Sequence, residues 1–436
     1  MSTLKAIRGT RDLLPPQTEL WNHIEAAARR IFERYSFGEI RTPIFEDTQL
    51  FSRSVGEETD IVSKEMYSFT PAEDPGRGAQ SLTLRPENTA GVVRAYIEHK
   101  LGETGQLQKL YYIGPQFRRE RPQKGRYRQF FQIGAEVIGP PSAGSESPLR
   151  DAEVLEMLAT FLRELGITGW KLKINSVGSS EDRPRYVARL REALTPVVGR
   201  MCQDCRRRAE TNPLRVLDCK VPEDQPIIEQ LPRIWDSLDP ASQAHFAAVC
   251  AALDACGVPY EQDYRLVRGL DYYTRTTFEF VEDSKTGTLG SQNALLGGGR
   301  YDGLSEAIGG PRAPGIGFAI GEDRLVLALE GHTQQAPRLA DAFVAPLGEP
   351  MNAPALALAR DLRAAGLRIE LGDGAFRLKK SFETANKLAR SIVILGEDEW
   401  SSGILTVKNF ATGQQSKVPR TTLAQQLANL ERALNQ

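Results

Sequence analysis

Apolar positions recur at helical spacing over residues 17 to 36, where Leu20, Ile24, Ala27, Ile31 and Tyr35 fall on one stripe. A stripe of that period predicts a helix that buries one face. EIRTPIFE follows as a short strand interrupted by Pro43. Proline removes a ladder donor, so this strand is expected at an edge or a bulge, as at a subunit boundary. Between residues 80 and 100 the period changes from strand to helix at Pro86, and Pro86, Glu87, Asn88 and Thr89 have the composition of a helix entry. Two aromatic and β-branched runs, LYYI and FFQIGAEVI, enclose a loop holding Pro122 and Gly125. They predict a long antiparallel hairpin. DAEVLEMLATFLRELG then reads as an amphipathic helix before the strand WKLKINSV. Residues 181–260 lose this alternation, carry many prolines and read as a mostly helical inserted module. Strand-like alternation returns at 262–282, and 313–330 reads as a glycine-punctuated strand running into a helix with Arg324 in its first turn. Beyond a linker at 331–337, residues 338–436 alternate short apolar strands with amphipathic helices, one with Ala355, Leu358 and Leu362 on a single face. That pattern predicts a separate α/β domain with its own sheet.

A chain of 436 residues is too long for one ordinary core, so about three domains are expected. Apolar and charged contents of 41% and 25% are those of a soluble globular protein. The formal net charge of −1 gives no global attraction to nucleic acid. Any RNA contact must come from local basic patches, such as the hairpin loop or the run Arg206, Arg207, Arg208. MSTLKAIRGTRDLLPP lacks an apolar core of signal-peptide length, and no apolar run is long enough to cross a bilayer, so a cytoplasmic protein without membrane contact is expected. An odd number of cysteines, five, argues for reduced thiols. Cys202 and Cys205 are spaced as in a zinc knuckle and Cys219 could be a third ligand, but no fourth lies at matching spacing; His245, Cys250 and Cys256 are distant. A structural zinc site needs four placed ligands, so reduced thiols are the simpler reading and no metal centre is assigned.

Candidate chemistry concentrates in the hairpin. Arg118, Arg121, Lys124, Arg126 and Arg128 crowd its loop, interrupted by Glu120, and planar guanidinium groups can grip phosphate oxygens bidentately. Gln132 and Glu136 face the same side of a strand of period two, a polar pair in an apolar segment that suits a small polar ligand. Further along, Arg268 and Asp271 flank a glycine where backbone can approach a ligand, with Tyr272 and Tyr273 beside them. GGGRYDGL at 297–304 lacks the Lys-Ser/Thr ending of a phosphate-binding P-loop.

The stretch LYYIGPQFRRERPQKGRYRQFFQIGAEVIG resembles the second signature motif of class II aminoacyl-tRNA synthetases in its histidyl, bacterial form. TLRPEN resembles the family's TLRPEGT loop, with Asn88 in place of the usual glycine. LVRGLDYYTRTTFE and GGGRYDGL resemble its histidyl-specific blocks, and APGIGFAIGEDRLVLALE its third motif, with Glu322 and Asp323 where an apolar residue and Glu are usual. The first helix and the Pro43 strand look like the first motif, which builds a dimer interface, and LKKSFETANKLA with VILGEDE resembles the anticodon-binding domain. The resemblance runs from Ile7 to the last helix. It implies an α+β catalytic core at 1–180 and 261–330 built on an antiparallel six-stranded sheet with flanking helices. It also implies a helical insertion over the acceptor arm of the RNA and a C-terminal α/β anticodon-binding domain.

The implied reaction is activation of L-histidine with ATP, with magnesium neutralising the nucleotide though no dedicated metal cage is visible, followed by transfer to tRNA(His) by a homodimer. By resemblance, Arg118 and Arg268 take the α-phosphate, Arg268 as the distinctive catalytic arginine and also as a histidine-binding residue. Arg126 and Arg324 hold the distal phosphates, Glu120 reads the adenine amino group and Phe130 stacks on the ring. Glu87, Thr89 and Gln132 take the α-ammonium, Glu136 and Tyr273 read the imidazole, and Tyr272 and Tyr301 close the histidine pocket. Arg121 and Gln123 belong to the loop that reads the acceptor end. The alternative is a histidine-binding regulatory subunit of ATP phosphoribosyltransferase, which shares the catalytic core but erodes its signatures and typically lacks the last domain.

Overall fold

The two runs around the basic loop form strands Gln108–Phe117 and Gln129–Ile138, paired antiparallel with Leu110 opposite Glu136 and Gly114 opposite Gln132. A computed structural model of the chain describes residues 3–56, 59–70, 81–123, 125–267, 270–283, 293–330 and 340–434. Lys124, Arg268 and the expected linker 331–337 lie outside the described residues. The chain divides into two compact units, Met1–Gln334 and Gln335–Gln436.

In the first unit the hairpin sits within an eight-stranded sheet. Its inner six strands, Gln108–Phe117, Gln129–Ile138, Gly315–Gly321, Ala294–Arg300, Thr274–Glu282 and Trp170–Ser176, are antiparallel neighbours in that order. Gly38–Glu39 and Tyr260–Gln262 extend the two edges by parallel pairing. These added edges make the sheet wider than the expected six strands. Each spans only two or three residues, too few for a period-two signal. Glycine is required where Gly317 pairs with Glu136, because a Cβ there would run into the Glu136 carboxylate.

The helix Gln17–Arg34 forms as its stripe predicts and buries Trp21, Ile24, Ala27, Ile31 and Phe32. With Val154, Leu155 and Leu158 of Pro148–Glu164 these residues pack against Ile133, Phe278, Phe280 and Phe318 of the sheet. Fully burying such side chains is worth about 1.5–3 kcal/mol each. The segment around Pro43 is not one strand. Phe45–Asp47 joins a separate three-stranded sheet with Leu82–Leu84 and Tyr67–Phe69, while the Thr42 carbonyl accepts from buried Arg85 at 3.0 Å. Arg85 also donates to the Pro115 carbonyl at 2.9 Å, so it ties the TLRPEN loop to the hairpin.

The inserted module is built of short helices, among them Asp182–Leu194 and Gln203–Thr211, and 3₁₀ turns around Tyr186, Leu190, Met201, Cys205, Val216 and Ile234. Pro240–Ala255 belongs elsewhere in packing terms: its Phe246, Val249 and Leu253 join the core of the large sheet. Its sequence is helical in either setting, so composition could not reveal its packing partner.

The second unit has its own five-stranded sheet, ordered Ile369–Leu371, Ala342–Pro346, Ser391–Leu395, Ile404–Asn409 and Gln415–Pro419. The first two pairings are parallel and the last two antiparallel. Asn352–Ala364 buries Ala355, Leu358 and Leu362 as its period requires. Among the described residues, no helix is long and apolar enough to cross a membrane.

Candidate active site

A cavity of about 240 Å³ opens on the large sheet, with the hairpin along one side. Its lining includes Glu87, Thr89, Gln132, Tyr272, Tyr273 and Tyr301, and also Arg118, Glu120, Arg126, Phe130 and Arg324. Five separate stretches of sequence therefore converge as expected.

The two ends differ in burial and charge. At one end the lining residues Glu87, Thr89, Gln132, Tyr273 and Tyr301 are buried, and Glu136 lies behind them, not itself among the lining residues. Glu87 follows Pro86 at the entry to helix Thr89–Glu98, and its carboxylate accepts from the backbone N–H groups of Thr89 at 2.7 Å and Ala90 at 3.0 Å. It is therefore a helix cap and a cavity wall at once. Burial raises its pKa, opposed by those two N–H donors.

Glu136 is fully buried on the strand and accepts from the Thr89 hydroxyl and from the Tyr301 hydroxyl, each at 2.7 Å. Burial pushes its carboxyl up to about 8, although both hydroxyls pull it down. Gln132 is 8% exposed and its side-chain carbonyl oxygen has no partner among the described residues. A buried acceptor left open costs about 1–3 kcal/mol unless a ligand donor fills it. Tyr272 stacks at a tilt 4.8 Å from Tyr273 and edge-on 6.0 Å from Tyr301, which closes this end with aromatic rings.

The other end is cationic and partly exposed. Arg118 donates to the Pro86 carbonyl at 2.9 Å and lies 5.3 Å over the Phe130 ring, so its guanidinium is held between the hairpin and the TLRPEN loop. Glu120 stands between Arg118 at 3.8 Å and Arg126 at 3.1 Å. Arg324, in the first turn of Glu322–Glu330, donates to the Ala294 carbonyl at 2.5 Å. An N-terminal strap braces the loop: Arg11 donates to the Tyr127 hydroxyl at 2.7 Å and pairs with Asp323, and the Arg128 N–H reaches the Gly9 carbonyl at 2.7 Å. Asp323, which departs from the family pattern, thus has a partner in the strap.

Arg121 and Gln123 are not among the lining residues. They are exposed at the loop tip, where the Gln123 and Arg126 backbones bond reciprocally at 3.1 and 2.9 Å. Arg300 of GGGR is entirely buried, gripping Asp151 at 2.5 Å, the Ser145 carbonyl at 2.6 Å and Asp302 at 3.1 Å. It is a structural ion pair. His245 shares the same Asp151 at 2.9 Å, far in role from any cysteine.

Sequence reading missed Tyr112 and Glu279, which also line the cavity. Tyr112 had a legible signal, since it pairs across the hairpin from Gly134, and a Cβ at Gly134 would strike its ring. A glycine set between Gln132 and Glu136 makes room for a large ring on the same face.

The chain matches known proteins along nearly its whole length. Residues 9–325 match the family model of histidyl-tRNA synthetase, and residues 341–430 that of the anticodon-binding domain. The histidine–tRNA ligase of Koribacter versatilis is 66% identical over 98% of this chain and 96% of its own length. That of Solibacter usitatus is 58% identical over 97% of this chain and 99% of its own. The crystal structure of apo S. aureus histidyl-tRNA synthetase superposes with a TM-score of 0.78 at 38% identity, covering 98% of this chain and all of that one. Matched by that family model over most of its length and by relatives of 66% and 58% identity over nearly their whole length, the chain belongs to the histidyl-tRNA synthetases.

Proposed function

We propose that the two ends of the cavity divide the substrates, histidine at the buried end and ATP at the cationic mouth. The enzyme is a histidine–tRNA ligase. The histidine carboxylate attacks the α-phosphorus of ATP, giving histidyl-adenylate and pyrophosphate, and the 3′-terminal ribose hydroxyl of tRNA(His) then attacks the acyl carbon and releases AMP. Negative charge grows on the phosphate oxygens in the first step, so cations fixed beforehand lower its barrier.

The observation that carries this assignment is Glu136, a fully buried carboxyl that accepts from the hydroxyls of the wall residues Thr89 and Tyr301. Neutral imidazole offers one donor and one acceptor, and a carboxyl with a hydroxyl opposite forms a matching pair, here Glu136 and Tyr273. Glu87, Thr89 and Gln132 take the α-ammonium, with the open Gln132 oxygen as its acceptor. Tyr272 and Tyr301 shape the wall. Arg118 meets the α-phosphate together with Arg268, the catalytic arginine of the family's signature. Arg126 and Arg324 meet the distal phosphates, Glu120 the adenine amino group and Phe130 its ring. Glu120 holds Arg126 at 3.1 Å, so nucleotide binding must exchange that pair for adenine and phosphate contacts.

Magnesium arriving with ATP would be held by its phosphates and one or two carboxylates. Among the described residues, the carboxylates of the cavity wall are Glu87, Glu120, Glu279 and Asp323. Arg121 and Gln123 at the loop tip reach the acceptor end of the RNA. The inserted module, apart from the core-packed helix Pro240–Ala255, lies over the acceptor arm, and residues 338–436 read the anticodon. A homodimer is supported by exposed Leu4, Ile7, Leu14, Ile44 and Phe45, apolar groups around the first motif.

The test is histidine-dependent exchange of pyrophosphate into ATP, followed by charging of total tRNA in the same preparation. Arg268→Ala should lower exchange by about 10²–10³-fold, the usual cost of removing one preorganised charge-stabilising donor. Undiminished exchange in that variant would overturn its role. Histidine binding without exchange in the native chain would favour the regulatory-subunit reading.

A further inference from the structure

Four side chains of the inserted module, all outside the catalytic cavity, converge on one point. Cys202, Cys205, Cys219 and Asp224 bring one ligand atom each to within 4.8 Å of all the others. Cys205, Cys219 and Asp224 are buried and Cys202 half-buried. Around a zinc ion with Zn–S of about 2.3 Å and Zn–O of about 2.0 Å, a tetrahedron sets two sulfurs ~3.8 Å apart and a sulfur and an oxygen ~3.5 Å apart. Here Cys202 Sγ lies 3.9 Å from Cys219 Sγ, and Cys219 Sγ lies 3.3 Å from Asp224 Oδ2.

The backbone is arranged for thiolates. Cys202 caps helix Gln203–Thr211, and its sulfur accepts the Cys205 N–H at 3.4 Å, while the Cys219 sulfur accepts the Val221 N–H at 3.4 Å. Such donors stabilise sulfur anions, the form in which cysteine binds metal. Asp224 is oriented by the Cys202 N–H, at 3.0 Å to Oδ1.

We propose that Cys202, Cys205, Cys219 and Asp224 form a structural site for a thiolate-preferring divalent cation, zinc by its tetrahedral geometry and sulfur-rich ligand set. The missing fourth ligand is a carboxylate five residues after Cys219, not a fourth cysteine or a histidine. The site joins three segments of a module made of short helices and 3₁₀ turns, where a cross-link adds most. It also reaches toward the active-site signature. Arg265 donates to the Cys219 carbonyl at 3.4 Å and to Gln225 at 2.9 Å, and Asn212, just past the capped helix, donates to Asp271 at 3.3 Å.

The experiment uses the full-length chain purified without chelators, with zinc measured by plasma mass spectrometry and Co²⁺ exchanged in for spectroscopy. About one zinc per chain is expected, and the cobalt form should show thiolate-to-metal charge-transfer bands with a tetrahedral visible spectrum. Cys219→Ser should lose both. Asp224→Cys should keep the metal and raise the charge-transfer absorbance by about a third, as a fourth thiolate joins three; it carries the test even if Cys219→Ser fails to fold. A chain with no zinc, whose thiols titrate identically with and without added zinc, would overturn the proposal. So would a Cys202–Cys219 disulfide in the native protein, or a cobalt spectrum untouched by Asp224→Cys.

Discussion

Two buried carboxyls have opposite relations to their surroundings. Glu136 is held by the hydroxyls of two residues of the cavity wall, Thr89 and Tyr301, whereas Glu322, also fully buried, has no partner for either oxygen among the described residues. Burial raises the pKa of both. A carboxyl with a raised folded pKa keeps its proton where the unfolded chain has lost it, so stability falls as pH climbs from the ordinary carboxylate range toward the raised value. For Glu136 that window ends at about 8. Glu136→Gln should therefore stabilise the free protein by on the order of 2 kcal/mol at alkaline pH, while cutting histidine-dependent exchange by about 10²-fold or more. Denaturant melts at acid and alkaline pH alongside exchange assays check both halves, and a variant that gains stability with full activity would remove Glu136 from the pocket. Glu322→Met should gain about 1–3 kcal/mol, again more at alkaline than at acid pH, with activity retained.

Elements of this fold are joined by a few buried polar ties. Arg300 on its strand and Asp151 on the helix Pro148–Glu164 are both fully buried, and His245 of Pro240–Ala255 completes the set. Removing one partner strands the other charge in the core. Asp151→Asn or Arg300→Met should each cost about 3–5 kcal/mol in urea unfolding, and the double variant markedly less than their sum. The hairpin tip is the opposite case, exposed and free to serve a ligand. Gln123→Ala should leave stability and exchange unchanged within about 0.5 kcal/mol and slow transfer to tRNA. Equal losses in exchange and in transfer would sink an acceptor-end role.

The unit Gln335–Gln436 buries its own core around Val344, Leu358, Val393 and Leu405. A chain ending at residue 334 should keep histidine-dependent exchange. It should lose about 10²-fold in charging efficiency, the gain that a second tethered binding module supplies through effective concentration. A net charge of −1 fits such division of labour, since RNA affinity then rests on local patches and a second contact.

The long periodic elements were legible because burial of one face imposes its period directly. The first helix, the hairpin and the strands and helices of the last unit all follow from apolar spacing, and Gln132 and Glu136 shared a face by period two alone. The signature motifs identified the family and named residues that the fold gathers at one cavity, with Glu136 behind its wall and Arg121 and Gln123 outside it. Long-range packing carried the rest. The parallel edge strands are shorter than one period, Pro240–Ala255 is helical whichever core receives it, and GGGR looks cationic until Asp151 neutralises it. Asp224 met the cysteines only when loops of different length folded onto one point, because ligand geometry depends on distance in space and not on spacing along the chain.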